Sequence, residues 1–109
     1  MRQGALALAL AALALFGCRQ AAGVQAPPAR YDTGPLPADL TYDEVDAAEV
    51  GAVCRSFGDT SPEDQVLACY VFAKHVIVLP TRASDPVIYP ALKRHEEGHA
   101  RGWPANHPS

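Results

Sequence analysis

Apolar residues along the chain form patterns of three kinds, and each kind predicts a different element. Residues 5–16 read ALALALAALALF with no polar interruption. This run is shorter than the roughly 20 residues that a membrane-spanning helix needs. From residue 41 onward the apolar positions become periodic, and between 66 and 79 they are rich in β-branched and aromatic residues, as in strands. The pattern therefore predicts an apolar leader followed by a folded domain.

The periodic part of the chain predicts helix, hairpin and helix. Thr41-Tyr42-Asp43-Glu44 matches a capping box, so we expect a helix over 43–56 that ends at Gly58. Residues 66–72 and 75–79 read as two strands joined by a tight turn, and a single helix over 62–74 is the competing interpretation.

The last predicted helix runs from Pro90 to about Arg101. Proline suits the first turn of a helix, Gly102 suits its C-terminal cap, and Pro104 prevents continuation. Together these elements predict a small α+β domain.

The apolar run ends in Leu15-Phe16-Gly17-Cys18. This resembles the bacterial lipobox, which implies a signal peptide over 1–17 and an acylated Cys18 that anchors the protein in a membrane. The residue after the cysteine is Arg19 and not an aspartate, which favours the periplasmic side of the outer membrane. An ordinary signal peptide and an uncleaved anchor are the alternatives.

Residues 18–40 hold that cysteine and a segment broken by proline and glycine, which predicts an extended, disordered tether. The folded domain is then 41–109, about 70 residues, a size at which a covalent or metal cross-link is usually needed. Cys54 and Cys69 form an even pair in an oxidising compartment, so we expect a disulfide, with free thiols or thiol metal ligands as alternatives.

Composition and charge exclude several classes of protein. A chain of 109 residues is too short for two domains or a dinucleotide-binding fold, and its net charge of −3 gives no indication of nucleic-acid binding. Nine acidic residues and one basic residue fall within 32–64, which we interpret as a solvated acidic face. We expect a monomer.

The chemistry of the chain is concentrated in His95-Glu96-Glu97-Gly98-His99, an H-E-x-x-H motif in the last predicted helix. A spacing of four puts His95 and His99 on one helical face, where both can bind one zinc ion. Glu96 lies where it can take a proton from a water on the metal, while Glu97 is expected to be solvated.

The motif resembles that of the zincin metallopeptidases. The longer run HEEGHARGWPANH, residues 95–107, is similar to short bacterial proteins carrying HExxHxxGWPxxH, and the resemblance covers residues 66–107. It implies a minimal zincin-like domain in which zinc-bound water attacks an amide, with Glu96 as general base. It also implies that substrate pairs with a strand above the helix, a position that His75–Leu79 fits.

A catalytic zinc site needs a third protein ligand. The metzincin pattern fails because Ala105 stands where its third histidine would be, and a gluzincin ligand fails because no acidic residue follows Glu97. His107 is the best candidate, with His75 and Asp85 as weaker alternatives. Trp103 is expected to be a packing anchor.

The leading hypothesis is a lipid-anchored, zinc-dependent peptidase of the cell envelope acting on a peptide or protein. The alternative is a noncatalytic zinc-binding lipoprotein or accessory module, in which zinc stabilises a small fold.

Overall fold

The computed structural model describes residues 23–109. The predicted signal peptide and the predicted acylation site at Cys18 lie outside these residues. No helix within 23–109 is both long and apolar enough to cross a bilayer.

A three-stranded sheet forms the centre of the fold, which is α+β as predicted. The strands are β1 (Thr41–Val45), β2 (Cys69–Val71) and β3 (Val76–Pro80), in the spatial order β1-β3-β2. Strands β2 and β3 form the expected antiparallel hairpin, and β1 runs parallel to β3. The central strand β3 is therefore paired along both edges.

The helix predicted over 43–56 is wrong at its beginning. Thr41–Val45 is strand β1, and helix α2 covers Val50–Ser56 after a 3₁₀ turn at Ala47–Glu49. The N-cap of that turn is Asp46, whose Oδ1 accepts a hydrogen bond of 3.0 Å from the Ala48 N–H. The capping-box signal is local, and parallel pairing of Thr41–Val45 along one edge of β3 outweighs it.

The core lies on both faces of β3, because successive side chains of a strand point in opposite directions. On one face Ile77 and Leu79 pack against Leu92 of helix α3 (Tyr89–Ala100). On the other face Val78 packs against Val50 and other residues of α2. Each such side chain, fully buried, stabilises the fold by about 1.5–3 kcal/mol, so the sheet holds α2 and α3 at fixed positions on its two sides.

The Cys54–Cys69 disulfide is present, as predicted, with a Cα–Cα distance of 6.1 Å. It joins α2 to β2, an edge strand of only three residues. The cross-link therefore holds in place a strand that has a partner on one side only.

The segment before the sheet differs from the expected disordered tether. Residues 29–32 form a short helix, α1 (Ala29–Asp32), and Asp32 pairs with Arg94 of α3. Pro27 is buried, and Val24 packs against the core cluster that contains Leu92. The described part of that segment, residues 23–40, thus packs on the domain because its few apolar side chains find a complementary surface on α3 and β3.

Candidate metal centre

Helix α3 carries the two histidines of the motif. It carries Pro90 in its first turn and ends at Ala100, with Arg101 as its C-cap, after which Gly102 turns the chain with a φ of +109°. The chain then folds back so that His107, itself in the left-handed region with a φ of +58°, returns to the helix. Its backbone N–H donates to the Pro104 carbonyl at 3.0 Å, which closes the turn.

His95, His99 and His107 converge through their Nε2 atoms. The Nε2–Nε2 distances are 3.3 Å between His95 and His99, 3.1 Å between His95 and His107, and 3.0 Å between His99 and His107. These three residues form a group that could hold a metal ion. Two nitrogens bound tetrahedrally at the usual zinc–nitrogen length would lie about 3.3 Å apart, which fits the spacing here.

Two of the rings are oriented by backbone carbonyls. The Nδ1 atom of His95 lies 2.7 Å from the Gln25 carbonyl oxygen, and that of His99 lies 2.7 Å from the Trp103 carbonyl oxygen. Because a carbonyl only accepts, each Nδ1 must carry the proton. The neutral rings therefore present lone pairs at Nε2, pointing at one another, and a cation between them would satisfy these lone pairs.

Burial keeps these two rings ready to bind a cation. Loss of hydration lowers the pKa of both His95 and His99 by more than the hydrogen bonds to the carbonyls raise it, and the neighbouring histidines lower it further. Both are therefore neutral near pH 7, the form in which imidazole is a metal ligand.

Glu96 lies between the two histidines of the motif and is buried. Its side chain is 6% exposed, and burial, with a smaller effect from the Asp59 carboxylate, raises the pKa of the Glu96 carboxyl to about 8. A carboxyl group with a pKa of about 8 is mostly protonated at neutral pH, and a cation held beside it would favour the charged form that accepts a proton.

Two cavities meet at the histidine cluster. The larger, about 450 Å³, extends towards Gly23–Gln25 and Leu67, and the second, about 340 Å³, extends towards β2 and Phe72. His95, Glu96 and His107 line both. The histidine cluster thus borders both cavities.

Trp103 packs against the histidine cluster. It is fully buried, its ring stacks on His99 with centroids 4.7 Å apart, and its Nε1–H donates to the Pro108 carbonyl at 2.8 Å. This agrees with the expected packing role and adds a second one, since the Trp103 carbonyl orients His99.

The alternative ligands lie outside the cluster. His75 has a φ of +51° in the hairpin turn, and its Nδ1 lies 2.6 Å from Oδ1 of Asp39. Asp85 also does not belong to the group that converges. The prediction that Glu97 is solvated is wrong. Its side chain is largely covered, because the hydroxyl of Tyr42 in β1 donates a hydrogen bond to it.

Sequence reasoning missed the contribution of residues 23–27. The Gln25 carbonyl is a backbone group and has no sequence signature. The sequence signal that could have indicated this contact is Gly98. A glycine inside a helix is less favourable than alanine by about 1 kcal/mol, so its presence suggests that another group approaches the helix closely.

Comparison of the chain with protein-family models, curated proteins and solved structures found no match. The functional proposal therefore depends on the geometry of the site and on the motif.

Proposed function

We propose that the protein is a lipid-anchored, zinc-dependent peptidase of the cell envelope. The observation that carries the proposal is the set of three convergent imidazole nitrogens beside a buried carboxyl group in an open groove. A donor set made only of imidazole nitrogens at near-tetrahedral spacing suits zinc better than magnesium or calcium, which prefer oxygen.

When bound, zinc would supply Lewis acidity that polarises a carbonyl and makes water a stronger acid. The chain supplies the rest. His95 and His99 are held by carbonyls, so their nitrogens need no reorientation to bind the metal. Glu96 takes the proton of the attacking water and returns it to the amine nitrogen as the amide bond breaks.

The strand that the sequence predicted to pair with substrate, His75–Leu79, is not free to do so. Residues 76–80 form the central strand β3 and cannot accept a further strand, since both edges are paired. Strand β2 has a partner on one side only and lines the second cavity. We therefore assign an extended peptide to the free edge of β2, where main-chain pairing would direct it across the histidine cluster.

The lipobox would bring this groove close to a membrane. Five residue steps separate Cys18 from Gly23, which lines the larger cavity, and five extended residues span at most about 18 Å. Substrates of a protein acylated at Cys18 would thus be peptides presented at the bilayer surface, on the periplasmic side of the outer membrane if Arg19 acts as expected.

The test uses the full chain purified from membranes in detergent, with bound zinc measured by elemental analysis and cleavage measured on casein and on peptidoglycan peptides. Glu96→Gln should keep the zinc and lose cleavage, because the imidazoles remain and the base is removed. Glu97→Gln is the matched control on the same helix and should retain both. Equal cleavage by wild type and Glu96→Gln would contradict the proposal.

A noncatalytic zinc module is the second candidate. It is favoured by the way the histidine cluster connects three parts of a small fold: the segment at Gln25, helix α3 and the returning chain at His107. Bound zinc that raises the melting temperature, without wild-type cleavage of either substrate, would favour this candidate.

A further inference from the structure

We propose that residues 23–32, here called the N-terminal strap, are a working part of the metal centre: the docked strap orients His95 for metal binding. The proposal depends on the metal-binding part of the proposed function and is independent of whether the protein cleaves peptides.

The strap is attached to α3 at three successive places around the histidines. Asp32 accepts from Nε of Arg94 at 2.8 Å, the Gln25 carbonyl accepts from Nδ1 of His95, and Pro27 packs against Gly98. Arg94 immediately precedes the H-E-x-x-H motif, His95 is its first histidine, and Gly98 lies between its two histidines. The strap thus contacts the helix where the metal ligands are.

Gly98 shows that the contact at Pro27 is close. A Cβ atom at position 98 would lie 2.7 Å from both Cβ and Cγ of Pro27, and 3.2 Å from Cε3 of Trp103. The proline ring is stiff, so a larger residue at position 98 would push the strap away from the helix. The close approach of the strap therefore explains why a glycine occupies this position of the motif, although glycine is unfavourable in a helix.

The hydrogen bond at Gln25 is the functional part of the contact. It holds the His95 proton on Nδ1 and the lone pair on Nε2, whereas a released ring could rotate and exchange its tautomer. Loss of such a supporting hydrogen bond typically lowers metal affinity about 10–100-fold. By reciprocity, metal binding at His95 must also favour the docked strap.

The strap also completes the groove. Gly23, Val24 and Gln25 line the larger cavity together with Leu67. A domain that began at residue 41 would lack this wall of the cavity. The strap, which precedes the sheet in the sequence, supplies the wall.

The test compares three variants of the full chain in detergent: Gly98→Ala, Pro27→Gly, and the two combined. Affinity for Zn²⁺ is measured by competition with a chelator, and the tautomers of the histidine rings by ¹⁵N NMR on the metal-free protein. Gly98→Ala should lower zinc affinity about 10–100-fold. It should also move His95 away from the Nδ1–H tautomer, while His99 keeps that form through the Trp103 carbonyl.

The combined variant separates the strap from the tryptophan. Removing the Pro27 ring makes room for the methyl group added at position 98, so the strap can dock again. Both zinc affinity and the His95 tautomer should then return towards wild type. A loss that persists in the combined variant would mean that Trp103 carries the effect, and the proposal would be overturned. Wild-type affinity and an unchanged His95 tautomer in Gly98→Ala would overturn it as well.

The metal-free NMR measurement keeps this test distinct from that of the proposed function. If the wild type bound no zinc, the metal-binding proposal would fail. The His95 tautomer would then still report whether the strap orients the ring, and a tautomer insensitive to Gly98→Ala would refute that too.

Discussion

Loss of the Cys54–Cys69 disulfide should strongly destabilise the domain and should loosen β2 first. The cross-link closes a loop with a sequence separation of 15 residues between α2 and an edge strand of three residues. In the chain-entropy treatment, a loop of this length contributes about 3 kcal/mol at 25 °C, because the reduced unfolded chain regains that freedom.

That free energy corresponds to a large change in melting temperature. For a domain of fewer than 100 residues, 1 kcal/mol shifts the melting temperature by about 4–8 °C, so the expected decrease is about 12–24 °C. The other buried residues of the core on that face are Val50 and Val78, and reduction of the disulfide removes neither side chain.

The assay is thermal and urea unfolding followed by circular dichroism, with EDTA present so that freed thiols bind no metal. Three samples are compared: oxidised wild type, reduced wild type, and Cys54→Ala/Cys69→Ala. The reduced wild type keeps both sulfur atoms, so it separates loss of the cross-link from the small cavity that alanine leaves at Cys54. A decrease below about 1 kcal/mol in the reduced wild type would refute the loop-entropy reasoning.

The described contacts support three further predictions. His107→Ala should lower Zn²⁺ affinity more than about tenfold in chelator competition, while His75→Ala, outside the cluster, should leave it unchanged. Ile77→Ala, at a fully buried position of β3, should lower the free energy of unfolding by about 2–5 kcal/mol in urea titrations. The hydrogen bond from Arg94 lowers the pKa of Asp32, so this pair stabilises the fold above pH 3.8 and less as pH falls through the lowered pKa. Acid titration of Asp32→Asn should therefore show a shallower loss of stability below pH 3.8; a slope equal to that of wild type would contradict the assignment.

Local sequence signals identified the elements in which neighbouring residues determine the backbone. Helix α3 follows from Pro90 at its beginning and Gly102 after its end, and both lie where predicted. The hairpin follows from two β-branched runs separated by a short interval at Ala73-Lys74. The spacing of His95 and His99 needs only the pitch of a helix to bring them together.

Pairing between distant segments was beyond those signals. Thr41–Val45 carries a plausible helix start and becomes a strand because it pairs in parallel along one edge of β3. The same pairing makes β3 the central strand of the sheet and leaves β2 at an edge. Local patterns suggested that substrate would pair with His75–Leu79, whereas a free edge belongs to β2.

The sequence by itself determined the kind of chemistry: a helix with two imidazoles one turn apart, a carboxyl group between them, a further histidine within reach, and a cysteine pair suited to a small domain. These depend on residue identity and on short-range geometry. Only the tertiary structure decided how that chemistry is oriented, because the Gln25 carbonyl, 70 residues before His95, is a backbone group that any residue could supply. Two residues further on, Pro27 lies against Gly98, a contact between two surfaces that exist only once the chain has folded.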